Sequence, residues 1–262
     1  MSETVRLVDS HCHIDMIDLS HFEGGVDGVV ANAREHGVEH MLCVSVDMEA
    51  YPAMRDLVSG HPEISISVGV HPNHREGHEP DADELVAVAE RDGCVAIGET
   101  GLDYFRSEGD LEWQRDRFRT HIEASKRSGK PLIIHTREAR EDTLKVMREE
   151  NARDAGGVMH CFAEDWDTAV AAMDMGFYIS FSGIVTFKNA QELKRVAEKM
   201  PEDLMLVETD APYLAPVPKR GKSNVPGWTR YTAEHIAELR GSSIERVAEV
   251  TTQNYQRLFG SI

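Results

Sequence analysis

The sequence predicts an α/β fold, a single (β/α)8 barrel of the TIM type with an extra C-terminal helix, on three observations. Eight short apolar, β-branched runs alternate with amphipathic helical patterns. Each run is nearly continuous in apolar character rather than alternating, which suits strands buried on both faces of a parallel sheet. The chain has 262 residues, a length over which such barrels close as one unit, so residues 1–262 are expected to form one domain. An open doubly wound sheet is the alternative, but no Gly-x-Gly-x-x-Gly turn follows the first run.

In chain order the strands are expected at Arg6–Ser10, His40–Ser45, Ile64–Gly69, Val95–Gly98, Pro131–His135, Gly157–His160, Phe177–Phe181 and Leu204–Glu208. Helical patterns lie between them at Asp27–His36, Met48–Ser59, Asp81–Arg91, Leu111–Ser128, Glu138–Glu150, Asp165–Met173 and Ala190–Glu198. Two more follow the last strand, Thr229–Arg240 and Ser243–Leu258, the latter with a serine cap and Glu245 in its first turn. Pro52 fits the first turn of its helix.

Composition narrows the class. No apolar run approaches the roughly 20 residues of a membrane span, and residues 1–9 carry no signal-peptide segment, so a cytoplasmic protein without membrane contact is expected. Cys12, Cys43, Cys94 and Cys161 are widely spaced in or beside strands, which suits reduced core thiols. A formal charge of −18 excludes a binder of polyanions through a generally basic surface, so contacts to phosphate must be local.

The chemistry concentrates at the strand ends. On a strand, His11 and His13 share one face while Cys12 points to the other, and two imidazoles about 7 Å apart along the chain can converge on one cation. In a barrel, functional groups sit at the carboxyl ends of the strands. Those positions hold His11 and His13, then His71, Glu99, Asp103, His135, His160, Glu208 and Asp210. This nitrogen and oxygen set without thiolate suits Zn²⁺, Mn²⁺ or Mg²⁺. Glu208, two residues from Asp210, either holds a further cation or supports a ligand histidine from behind, the second being favoured. The loops after strands seven and eight carry Lys188 and the cluster Lys219, Arg220 and Lys222, a candidate phosphate contact. Arg137 and His71 are further candidates for substrate contact, and Tyr104, Phe105, Tyr213 and Trp228 for stacking on bases. His21, His36, His40, His61, His74, His78, His121 and His235 have no partner in the pattern and are expected on the surface.

The motifs Asp9-Ser-His-Cys-His13, Gly69-Val-His-Pro72, Gly98-Glu-Thr-Gly-Leu-Asp103, Ile134-His-Thr-Arg137, Gly157-Val-Met-His-Cys-Phe162, Tyr178-Ile-Ser-Phe-Ser-Gly183 and Val207-Glu-Thr-Asp-Ala-Pro-Tyr-Leu214 resemble the TatD family of metal-dependent hydrolases. The family falls within the amidohydrolase-like superfamily, and the similarity is greatest to its YcfH-type branch. The resemblance implies two divalent metal ions, one held by His11, His13 and Asp210 and the other by His135 and His160, with Glu99 bridging. It implies a hydrolase in which Asp210 is the general base toward a metal-bridging hydroxide. The activity it implies is a deoxyribonuclease, cleaving single-stranded DNA from the 3′ end. A D-aminoacyl-tRNA deacylase or another ester hydrolase on the same metals is the first alternative, and a non-catalytic metal- or nucleic-acid-binding protein the second. Oligomeric state is not legible.

Overall fold

The computed structural model describes residues 5–262. Strands β1 (Leu7–Cys12), β2 (Val38–Cys43), β3 (Ile64–Val68), β4 (Ala96–Asp103), β5 (Leu132–Arg137), β6 (Gly157–Met159), β7 (Phe177–Phe181) and β8 (Met205–Val207) pair in parallel, each with the next in sequence. Just beyond β8 the ring meets β1: the Asp210 N–H donates to His11 O at 2.9 Å and the His13 N–H to Ala211 O at 2.8 Å. Helices α1 (Val26–Glu35), α2 (Tyr51–Val58), α3 (Ala82–Arg91), α4 (Glu112–Ser128), α5 (Arg140–Glu149), α6 (Trp166–Met173) and α7 (Gln191–Lys199) lie between consecutive strands, and α8 (Thr229–Arg240) and α9 (Ile244–Phe259) follow β8. This is the predicted TIM barrel with its C-terminal helix.

Local chemistry accounts for most boundaries. Asp81, Asp165 and Ser243 accept hydrogen bonds from the amides of Glu84, Thr168 and Arg246, capping α3, α6 and α9. Pro52 occupies the first turn of α2 as expected, and α2 begins at Tyr51, three residues after the predicted start. The largest difference is β4, which runs on through Asp103 and so carries Glu99 inside the strand. At Gly101 (φ 126°) a Cβ would lie 2.0 Å from His135 O, so glycine is what allows β4 and β5 to pair this closely.

Two apolar layers result. The larger lies between sheet and helices. The smaller fills the barrel with Val8, Leu42, Ala96, Ile133, Val158 and Leu206, and Tyr255 and Phe259 of α9 pack against it. Helix α9 thus covers the amino-terminal ends of the strands, where Asn254 Nδ2 donates to Met205 O. Burial of each of the two rings contributes about 1.5–3 kcal/mol.

Two histidines expected on the surface are buried instead. His40, on β2, hydrogen-bonds Ser65 and packs edge-on against Tyr255. His121, on α4, donates from Nδ1 to Arg117 O and accepts the Val70 N–H at Nε2, at 2.8 and 3.0 Å. A ring nitrogen can satisfy a loop amide from a residue 51 positions away, and no periodicity reveals such a pairing. Burial pushes the His121 pKa down from 6.5 to about 4. The unfolded chain therefore binds a proton between pH 6.5 and 4 that the folded chain refuses, so stability present above pH 6.5 is lost as the pH falls toward 4, by at most about 1.4 kcal/mol per pH unit. Replacing it, His121→Phe should destabilise the protein at pH 7 by about 1–3 kcal/mol through the orphaned Val70 amide. The gap to wild type should narrow at pH 5. Urea unfolding at the two pH values checks this, and a pH-independent gap would contradict it.

Candidate metal centre

Strands β1 and β4 are irregular where they present their central ligand candidates. The β1–β2 register shifts between Asp9 and Cys12, and the β4–β5 register between Ile97 and Thr100. Ser10 faces the barrel interior, where its hydroxyl meets Ser180 Oγ and donates to Val207 O. Strict alternation would then turn His11 outward. The shift instead brings His11 inward as well, while Cys12 joins the outer core and His13 returns to the mouth. The shared orientation of His11 and His13 is as predicted, but its origin is this irregularity.

Asp9, buried completely, secures the seam. Its Oδ1 accepts the Thr209 and His11 amides at 2.8 and 3.3 Å, and its Oδ2 lies 2.5 Å from Thr209 Oγ1. Burial pushes its carboxyl well above the usual range, against the bonds from Thr209. Asp210 follows in the left-handed region (φ 58°), a conformation costly for most residues but tolerated by Asp and Asn.

Around one point, His11 Nε2 lies 3.2 Å from His13 Nε2 and 3.3 Å from Glu99 Oε2, and His13 Nε2 lies 3.4 Å from Asp210 Oδ1. His11 to Asp210 and His13 to Glu99 are 3.7 and 3.8 Å. Donors about 2.0–2.1 Å from a tetrahedral ion stand about 3.3 Å apart, so His11, His13 and Glu99 fit one divalent cation, with the Asp210 carboxylate beside both histidines. The other oxygen of Glu99 faces a second group: Oε1 is 2.9 Å from His160 Nε2, 3.0 Å from His135 Nδ1 and 3.4 Å from His71 Nε2. Burial alone would raise the Glu99 carboxyl, but His160, His71, His11 and His135 hold it well below the carboxylate range. One anion surrounded by imidazoles is an electrostatically coherent cation cradle.

Backing groups orient these rings. His13 Nδ1 donates to Val44 O at 2.9 Å, His160 Nδ1 to Glu208 Oε1 at 3.1 Å, and His135 Nε2 to Asp103 Oδ2 at 3.1 Å. Each bond places the proton on the outer nitrogen and leaves the inner lone pair free for a cation. Glu208 also accepts the Cys161 amide at 2.8 Å, which fixes its carboxylate beside the His160 ring. Cys161 is partly buried beside Ser182. Asp103, placed at a strand end by the sequence but given no role there, holds His135, and Asn73 Nδ2 in turn donates to Asp103 at 2.8 Å. Buried Arg117 donates to the carbonyls of His71 and His74, clamping the loop after β3. Asp9, Asn73 and Arg117 carried no assigned role in the sequence, and only the adjacency of Asp9 to His11 hinted at one.

The candidate substrate contacts divide. Tyr213 is exposed and edge-on to His13, with ring centroids 6.4 Å apart, whereas Tyr104 turns away to hydrogen-bond Asp142 of α5. Arg137 lies 3.9 Å over the ring of exposed Phe105. Arg220 sits 3.7 Å over Phe187, and Lys219 lies against Trp228 and Tyr231, which ties the loop after β8 to its neighbours. Lys188 and Lys222 are exposed. No helix among the described residues is long and apolar enough to cross a membrane.

A (β/α)8 barrel with this cluster at its mouth defines a class, the metal-dependent hydrolases. A family model described as TatD related DNase matches residues 8–260, and the chain belongs to the TatD family. It is 48% identical over 254 residues to the metal-dependent hydrolase YcfH of Escherichia coli K12, covering 97% of this chain and 95% of that protein. Identity to the 3′-5′ ssDNA/RNA exonuclease TatD of Edwardsiella piscicida is 31% over 246 residues, covering 91% and 94%. Among solved structures, YjjV, a TatD homologue from Escherichia coli K12, superposes with a TM-score of 0.90 over 99% of this chain and 100% of that one, at 25% identity.

Proposed function

We propose that residues 1–262 form one cytoplasmic catalytic unit that hydrolyses phosphodiester bonds with two divalent metal ions, acting as a 3′-5′ exonuclease on single-stranded DNA. The observation that carries this reading is the division of Glu99 between two nitrogen groups, Oε2 toward His11 and His13, Oε1 toward His135 and His160. His11, His13 and Asp210 would hold one cation, His135 and His160 the other, and Glu99 both. The chemistry supplied by such a pair is acidification of a water and neutralisation of the charge that builds on a phosphoryl group. Zn²⁺, Mn²⁺ and Mg²⁺ all suit the donors. Asp210, with its carboxylate against His11 and His13 and its side chain open to the mouth, takes the proton of the attacking water and returns it to the leaving oxygen. Glu208 and Asp103 keep the rings of His160 and His135 from rotating. The relative named as an ssDNA/RNA exonuclease supports the substrate class, and the four free cysteines support a reducing compartment.

The test is turnover of 3′- and 5′-labelled single-stranded oligonucleotides by metal-stripped protein resupplied with each cation. Stepwise loss from the 3′ end is expected. No cleavage with any metal, alongside rapid hydrolysis of a D-aminoacyl-tRNA ester, would replace the nuclease by a deacylase on the same centre.

The loop after β8 makes a separate prediction. Neutralising Lys219, Arg220 and Lys222 together should weaken oligonucleotide binding and make its salt dependence shallower, by about 0.7 in log–log slope for each phosphate of a single strand that these cations neutralise in wild type. Metal content should not change. A slope equal to that of wild type would remove the loop from the substrate path.

A further inference from the structure

The protons of the clustered imidazoles are set from behind, and His71 is set the opposite way from its neighbours. His13, His135 and His160 each spend a proton on an outer acceptor and turn a lone pair inward. His71 instead receives the Asn73 N–H at Nδ1, at 3.0 Å. A backbone amide can only donate, so the His71 lone pair is used outward and its proton resides on Nε2, 3.4 Å from Glu99 Oε1. The ring is held there. The His71 backbone N–H donates to Val46 O at 2.9 Å, buried Arg117 grips its backbone carbonyl at 2.7 Å, and the ring meets His135 edge-on at 4.7 Å between centroids. Its side chain is 21% exposed against 2% for His160, so it opens to the mouth where substrate must enter.

By position alone His71, Glu99 and His135 group as a metal-binding trio, but a nitrogen that carries the proton offers a cation no lone pair. We propose that His71 is a neutral hydrogen-bond donor to a non-bridging oxygen of the scissile phosphodiester, and not a metal ligand. The proposal rests on the phosphodiester reading above. As negative charge accumulates on the phosphoryl oxygens, the fixed N–H dipole transfers from Glu99 to the substrate oxygen, an interaction strongest when that charge is greatest. Asn73 serves both neighbours: its amide N–H sets the proton of His71, and its side chain steadies Asp103 behind His135.

The first experiment reads no activity. Nitrogen-15 NMR of the histidine rings, with His71 assigned by its loss in His71→Gln, should show the proton on Nε2 in stripped protein and again after loading with Zn²⁺ or Mg²⁺. Loss of that proton on loading would make His71 a ligand and overturn the proposal. The second compares His71→Ala and His71→Gln. Both should retain the metal content of wild type. With a p-nitrophenyl ester of thymidine 5′-monophosphate, His71→Ala should lose about 10²-fold in kcat with KM within a few-fold, and His71→Gln, whose amide can donate, should recover about tenfold of it. Equal losses in the two variants, an unchanged kcat in His71→Ala, or depleted metal would each overturn the proposal. Wild-type protein inactive on every phosphodiester would refute the reaction and the substrate atom assigned to His71, while the ring proton and metal content would still decide between donor and ligand.

Discussion

Asp210→Asn should lower single-turnover cleavage of a single-stranded oligonucleotide by roughly 10²-fold or more while leaving its affinity within a few-fold. The substitution isolates the proton acceptor. Asparagine keeps the size and one oxygen of the side chain, and it tolerates the left-handed backbone that position 210 adopts (φ 58°), so local geometry survives. The neighbouring Thr209–Asp9 bonds and the Asp210 N–H to His11 O bond that close the barrel are also untouched. What disappears is a carboxylate 3.4 Å from His13 and 3.7 Å from His11. Binding of the phosphate would still use the second cation position and the surrounding cations. Turnover within a few-fold of wild type would mean that another group takes the proton.

Glu99→Gln should lose metal at both positions together. Its two oxygens serve different histidine pairs, so a neutral amide in its place weakens each set, by roughly 10²-fold or more in affinity. The loss of charge has a second consequence. The imidazoles that now face an anion would face a dipole, and a cation brought among them would meet less compensating charge. By contrast, His135→Ala should spare the His11 and His13 position in part. Elemental analysis of protein purified without chelator, with circular dichroism to verify folding, reads both variants. Wild-type metal content in Glu99→Gln would show that this carboxylate does not bridge.

Several elements were legible because their information is local. The expected strands and helices match the observed ones to within a few residues, since burial on both faces of a strand and on one stripe of a helix imposes different periodicities on neighbouring residues. Capping by Ser243 and the early proline of α2 were readable for the same reason. The end of β4 was not, because its last residues are held by close pairing with β5, which glycine at position 101 permits. His40 and His121 were misplaced on the surface because their partners, Ser65 and Val70, belong to another part of the chain.

The sequence by itself determined the order of the barrel elements and the residue types delivered to its mouth: His11, His13, Glu99, His135, His160 and Asp210 all follow from reading strand ends. Tertiary structure alone decided how those groups are aimed and protonated. The register shifts in β1 and β4 depend on pairing with β2 and β5, and the seam at Asp9 depends on Thr209, 200 residues away. The imidazole nitrogen that keeps its lone pair is chosen by Val44, Asp103, Glu208 or the Asn73 amide, each carried by another strand or loop. A hydrogen bond needs its partner within about 3 Å and in line, and only the folded chain brings residues so distant in sequence to that distance.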